Sequence, residues 1–222
     1  IQSDLDQGAE RFKDGGGSPL QSRNVQLARM GCVVFHYDMV GYADSIQISE
    51  DLAHRFSVQR PDMNNPKRWG FFSPQAEANL QSIMGLQTWN SIRSLDFLLT
   101  LPDIDPERLS ITGASGGGTQ SFMMGALDDR LAACFPAVMV STAMQGGCTC
   151  ENASGLRIPV GNVEIAALVA PKPLGMTGAN DWTVEMSTKG FPELKKLFGL
   201  YDREDYVSLA QLNQFGHNYN YV

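Results

Sequence analysis

Apolar and polar positions follow two periods along the chain, and the switches between them predict its elements. Leu20, Val25, Leu27, Ala28 and Met30 recur at helical spacing over 20–30, and Gly31 stops the run. Cys32-Val33-Val34-Phe35-His36-Tyr37 is then a short apolar run, the pattern of a strand buried on both faces of a parallel sheet. Residues 38–74 lose the periodicity and carry Gly41, Pro61, Pro66 and Gly70, which predicts a long loop that is functional or holds small helical turns. Leu80, Ile83, Met84, Trp89, Ile92, Leu95, Leu98 and Leu99 put one apolar face on a long helix over 75–100, terminated by Pro102 and Pro106. From there strands at 108–112, 131–140 (a second buried run, irregular at Pro136), 173–178 and 206–209 alternate with helices at 118–127, 163–169 and 191–198. The alternation makes the class α/β, with a mostly parallel sheet of about five strands beginning at residue 32 and flanked by helices. No second-domain boundary interrupts it, so residues 1–222 read as one domain.

Composition narrows the function. At 222 residues, 43% hydrophobic and 18% charged, the chain has the makings of a sizeable core. A net charge of −7 and a pI near 4.9 argue against nucleic acid and anionic membrane as partners. No run of 18 apolar residues predicts a transmembrane helix, and no signal peptide is visible at residues 1–6. Residues 1–18 are polar and end in Asp14-Gly15-Gly16-Gly17-Ser18, a loop without the lysine of a phosphate-binding motif. The four cysteines are too few for a disulfide scaffold. Cys148-Thr149-Cys150 has neither Cys-x-x-Cys spacing nor a second pair, so no metal is expected, and no histidine close in sequence would activate a thiol nucleophile there.

The chemistry concentrates in Gly113-Ala114-Ser115-Gly116-Gly117, a G-x-S-x-G sequence between a predicted strand and a predicted helix. A serine on so tight a turn is strained, aims its hydroxyl above the sheet, and requires glycine at the flanking positions where a Cβ would clash. The following helix directs its positive end at a developing oxyanion, with the Gly116 N–H as one donor. The serine needs a base. His36 falls in an apolar strand and reads as a buried structural residue, while His54 reads as a solvated loop residue. His217 follows the last strand, where a loop at the C-terminal sheet edge would carry the general base. Between them Asp181 follows the strand at 173–178 and is the expected third member, its bland alternative being a helix N-cap. Asp202 and Asp205 precede a strand and so fall at the wrong end. Trp69, Phe71, Phe72 and Trp182 are candidates to stack on a sugar ring, or are ordinary core aromatics.

With these residues in place the chain resembles the α/β-hydrolase superfamily and, more narrowly, the bacterial acetyl xylan esterase-like hydrolases. The matching stretches are Leu27-Ala28-Arg29-Met30-Gly31, Tyr37-Asp38-Met39-Val40-Gly41-Tyr42, Thr112 to Gln120, Gly147-Cys148-Thr149-Cys150-Glu151-Asn152, Asn162-Val163-Glu164-Ile165-Ala166-Ala167 and Gly216-His217-Asn218-Tyr219. The resemblance implies hydrolysis of a carboxylic ester, deacetylation of a carbohydrate such as xylan, no cofactor, and export from the cytoplasm. Two rival readings share G-x-S-x-G: a serine peptidase of the prolyl-oligopeptidase type, and a non-catalytic hydrolase-like binding protein. Such hydrolases also carry earlier strands and a His-Gly oxyanion loop, and neither precedes Leu20. Either the sequence is a piece of a longer chain, or a partner surface, such as a second copy, covers the sheet edge.

Overall fold

Small and apolar residues build the sheet from four strands. The structure is a computed structural model and describes residues 6, 19–54, 76, 78–143 and 146–217. β1 (Leu109–Ala114), β2 (Leu131–Ala137), β3 (Leu174–Ala179) and β4 (Val207–Leu212) pair in sequence order, all parallel. Before them come α1 (Pro19–Arg29), the single turn α2 (Glu50–Ala53) and α3 (Ile83–Leu98). The crossovers are α4 (Gly116–Leu127), α5 (Asn162–Ala167) and α6 (Gly190–Gly199). Parallel neighbours require crossovers, and their common right hand sets successive helices on one face of the sheet. The packing agrees: α4 lies on β1 and β2 and touches α3 and α5, while α6 touches α5 and β4.

The core fills the space between sheet and helices. Phe122, Met123, Met139, Leu174, Met176, Leu194 and Phe198 are buried together there. A second cluster, Leu95, Leu109, Met124 and Leu131, seats α3. Ser82 caps α3, its hydroxyl accepting from the Gly85 N–H at 2.9 Å.

The expected strand at 32–37 is the main correction. Among the described residues the segment joins no ladder, and the sheet has four strands rather than about five. A strand exists only through its partner, and none of the described residues pairs with it. Side chains hold this stretch instead: Tyr37 Oη donates to Ser91 Oγ at 2.7 Å, and Val40 N–H donates to Gln87 Oε1 at 2.5 Å. Burial holds the Tyr37 hydroxyl above its ordinary pKa, against the lowering effect of the Ser91 bond. His36, expected buried, is consequently exposed, its Nδ1 within 3.4 Å of Arg23 and 3.2 Å of Asn24. β2 also departs from the doubly buried pattern, for Phe135 is 42% exposed on the face away from the helices. That face carries a groove lined by Thr112, Phe135, Thr177 and Leu212 and approached by Arg23 of α1.

One charged clasp pins the turn between α4 and β2. Arg130 donates Nε to Asp128 Oδ1 at 2.8 Å, Nη2 to Asp128 Oδ2 at 2.6 Å and Nη1 to Asp96 of α3 at 2.6 Å. The Arg130 hydrogen bonds hold the Asp128 carboxyl below its ordinary range, against the effect of burial. A depressed carboxyl contributes stability above its unfolded pKa and loses it as pH falls through the folded value. Asp128→Asn is therefore expected to cost about 1–2 kcal/mol at neutral pH. Urea unfolding from pH 7 down to pH 2 should show that cost shrinking in acid, and a difference independent of pH would contradict this account.

Candidate active site

Ser115 sits where β1 turns into α4, with φ 55° and ψ −122°, a left-handed backbone that non-glycine residues rarely adopt. The turn is held because Ser115 N–H donates to Ala137 O at 3.1 Å and Ser115 O accepts from Thr119 N–H at 3.0 Å. The steric demand for glycine is only partly where the motif predicts it. A Cβ on Gly113 would meet the Gly117 backbone at 2.6 Å, yet one on Gly117 would meet nothing within 4 Å. The second demanding position is Gly118, where a Cβ would lie 2.7 Å from Met139 Cβ and 2.8 Å from Ala137 O. Gly117 thus supplies backbone for Gly113 to pack on, and Gly118 lets α4 approach the end of β2. Gly116 opens α4, so its N–H has no intrahelical acceptor.

Asp181 and His217 rise from the same edge of the sheet. β3 ends at Ala179 and β4 at Leu212, in register. Neighbouring strands are about 4.8 Å apart, so β4 is about 14 Å from β1 and its loop has to bend back toward the serine. It does so: Phe215 N–H donates to Leu212 O at 3.0 Å, and Phe215 O accepts from Asn180 N–H at 2.8 Å, drawing His217 over β3. There His217 Nδ1 lies 2.8 Å from Asp181 Oδ2. The other carboxylate oxygen, Oδ1, accepts from Thr183 N–H at 2.7 Å and Thr183 Oγ1 at 2.5 Å. The carboxylate therefore both caps the turn that follows and bonds the imidazole. Its side chain is 5% exposed and that of His217 31%, so a charge on the ring would face a shielded anion. Asp202 and Asp205 precede β4 at the opposite end of the sheet.

Trp182, a candidate stacking platform, packs its ring against His217 with centroids 4.4 Å apart. Its Nε1–H donates to Val138 O at 3.0 Å, just past β2, which braces the histidine from the serine's side of the sheet. Trp69, Phe71 and Phe72 lie outside the described residues.

The least expected part of the site is the loop after β2. A Cβ on Gly116 would be 3.3 Å from Glu151 Oε1, 3.7 Å from Met39 Cε and 3.8 Å from Cys150 Sγ, so two loops close on the elbow. Glu151 is buried, with Oε2 accepting from Cys148 N–H at 2.9 Å, and burial lifts its pKa above the ordinary carboxyl range. Buried Arg157 donates to Glu151 O at 2.9 Å and to Asn162 Oδ1 at 2.7 Å, while Asn162 Nδ2 donates to Met139 O at 3.1 Å. Burial pushes the Arg157 pKa down. His54, expected in solvent, is only 4% exposed, with Nε2 2.7 Å from Val40 O and Nδ1 3.4 Å from Cys148 Sγ. Burial works to lower its pKa, but the bonds to Cys148 and Val40 outweigh this and the ring titrates above an ordinary histidine. The Cys150 thiol is held well above its ordinary range by its bond to Cys148 and by burial. Sequence spacing had no means of joining His54 to Cys148, which lies 94 residues away.

Among solved structures the chain is similar over 96% of its length to Methylesterase BT1017, at 29% identity and a TM-score of 0.72. The chain has an α/β-hydrolase fold. A glucuronoyl esterase of carbohydrate esterase family 15 from Caldicellulosiruptor kristjansonii matches this hydrolase fold over 69% of the chain, with 20% identity, a TM-score of 0.52 and 52% of its own length covered. A 76-residue stretch, 30% of the chain, is 28% identical to YtaP of Bacillus subtilis (strain 168), which bears the name of a hydrolase, and spans 25% of it. The chain covers 44% of Methylesterase BT1017, less than half of that protein. No protein-family model matches the chain.

Proposed function

We propose that the chain carries the chemistry of a serine carboxylic-ester hydrolase acting on a carbohydrate ester. The observation that carries the reading is the Asp181–His217 bond of 2.8 Å, formed at the sheet edge from which Ser115 projects in its strained turn. His217 Nδ1–H donates to Asp181, which leaves Nε2 with its lone pair as the base. Nε2 takes the Ser115 hydroxyl proton as Oγ attacks the ester carbonyl. The tetrahedral oxyanion is held by Gly116 N–H at the head of α4. His217 returns the proton to the departing alcohol, leaving an acyl-serine. Water, deprotonated by the same nitrogen, adds to the acyl carbon, and collapse releases the acid and restores Ser115. No cofactor takes part.

The acyl group belongs to the proposal. The sequence resemblance favours acetyl esters of a sugar such as xylan, whereas the likeness to a methylesterase favours a methyl ester, for which a methyl ester of a sugar acid is the probe. Both run through an acyl-serine, an acetyl-serine with the sugar as leaving alcohol in the first case and a sugar-acyl-serine with methanol leaving in the second. A fluorophosphonate is expected to label the chain once, at Ser115, with no labelling of Ser115→Ala. Acetylated xylo-oligosaccharides and a methyl uronate ester, supplied in parallel, then assign the acyl group by product analysis. Cleavage of peptide amides without ester hydrolysis would replace this reading by a peptidase. A folded chain that the reagent never labels would make it a binding protein.

A further inference from the structure

The sequence offers no metal motif, yet the fold gathers a set of soft ligands beside the elbow. His54, Cys148 and Cys150 each present one ligand atom, and the three atoms lie within 4.8 Å of one another. We propose that His54 Nδ1 and the Cys148 and Cys150 thiolates bind one zinc ion. Nitrogen and thiolate sulfur are the donors that Zn²⁺ takes in proteins, and two thiolates balance the charge of the dication.

The orientation of His54 is the strongest argument. Its Nε2 lies 2.7 Å from the backbone carbonyl of Val40, an acceptor only, so Nε2 carries the proton. In the neutral ring Nδ1 then holds the lone pair, and it lies 3.4 Å from Cys148 Sγ. A metal-ligating histidine is characteristically fixed this way, by its other ring nitrogen donating to a carbonyl or carboxylate. The spacing also fits. Zn–N of about 2.0 Å and Zn–S of about 2.3 Å at a tetrahedral angle place N and S about 3.5 Å apart.

The ligands are held before any metal arrives. Tyr42 stacks on the His54 ring with centroids 4.2 Å apart. Glu151 Oε2 accepts from Cys148 N–H, and Asn152 Nδ2 donates to Cys148 O at 2.7 Å, so the Thr149–Glu151 turn presents both sulfurs inward. His54 and Cys150 are buried and Cys148 is half-buried, and a water would complete a four-coordinate ion with these three ligands. Cys150 Sγ also lies 3.8 Å from where a Cβ on Gly116 would stand. The ion would therefore fasten the segment that carries His54 and the cysteine loop to each other beside Ser115. Its role is positional, and it stands whether or not the chain hydrolyses esters.

The test is metal content and cobalt spectroscopy on the 222-residue chain, expressed with added zinc and kept reduced. About one Zn²⁺ per chain is expected to survive dialysis. Replacing it with Co²⁺ should give a thiolate-to-cobalt charge-transfer band in the near ultraviolet and the strong visible bands of a tetrahedral ion. Cys150→Ser should lose most of the charge-transfer intensity. His54→Ala should bind at least about tenfold more weakly. Cys32→Ser, at an exposed cysteine away from the cluster, should change nothing. The wild-type spectrum decides the question even where a variant fails to fold by circular dichroism. Reduced protein that takes up no stoichiometric metal and shows no charge-transfer band overturns the proposal. So does full zinc retention in folded Cys150→Ser, or an intact mass showing Cys148 and Cys150 oxidised to a disulfide as isolated.

Discussion

Asp181→Asn is expected to lower the turnover of p-nitrophenyl acetate about 10⁴-fold while leaving the thermal midpoint nearly unchanged. The asparagine carbonyl can still accept from the backbone and hydroxyl of Thr183, so the turn after β3 keeps its cap. Toward His217, however, the variant presents an amide N–H₂. Nδ1 then has to accept rather than donate, the ring proton moves to Nε2, and the base toward Ser115 is lost. Ser115→Ala should remove more, about 10⁶-fold in kcat where serine and histidine act as one unit. Combining the two substitutions should cost little beyond the serine change alone. Turnover of Asp181→Asn within tenfold of the parent would remove Asp181 from the mechanism.

Gly113→Ala carries the largest expected effect on folding. Its methyl group would stand 2.6 Å from the carbonyl carbon and oxygen of Gly117, both main-chain atoms that cannot rotate away. We expect a loss of about 3 kcal/mol or more, a fall of roughly 6–12 °C in Tm for a chain of this length. Gly117→Ala, at the other motif glycine, should be tolerated because the methyl meets open space. Thermal unfolding of both variants reads the contrast. Equal losses would mean that the motif glycines serve backbone freedom rather than this one close approach.

How far the sequence was legible depended on whether a feature was local. The three crossover helices and four strands announced themselves because each is set by its own periodicity and stops, to within a few residues. The elbow was legible because strand, glycine and helix are adjacent, and Asp181 and His217 because strand ends fall on one edge of a parallel sheet. What failed was long-range. Cys32 to Tyr37 has a strand's composition, but a ladder partner is not written in a segment's own residues. His54 looked solvated because its burial comes from Val40, Tyr42 and Cys148, contacts made by a loop with no period. Gly117 misled in a subtler way: the motif names a pair of glycines, and only the packed backbone tells which one lacks room for a side chain.

The strand order also has a consequence for the timing of activity. Ser115 leaves the first strand of the sheet and His217 follows the last, with β4 held by β3 on one side and by α6 above. The serine's strained turn needs only β1, β2 and α4, which are contiguous in sequence and form early in any vectorial synthesis. His217, the base of the proposed mechanism, reaches Asp181 only when β4 docks. In the proposed mechanism activation of the serine thus follows the docking of β4, and local opening of β4 would silence the serine while most of the core stayed intact.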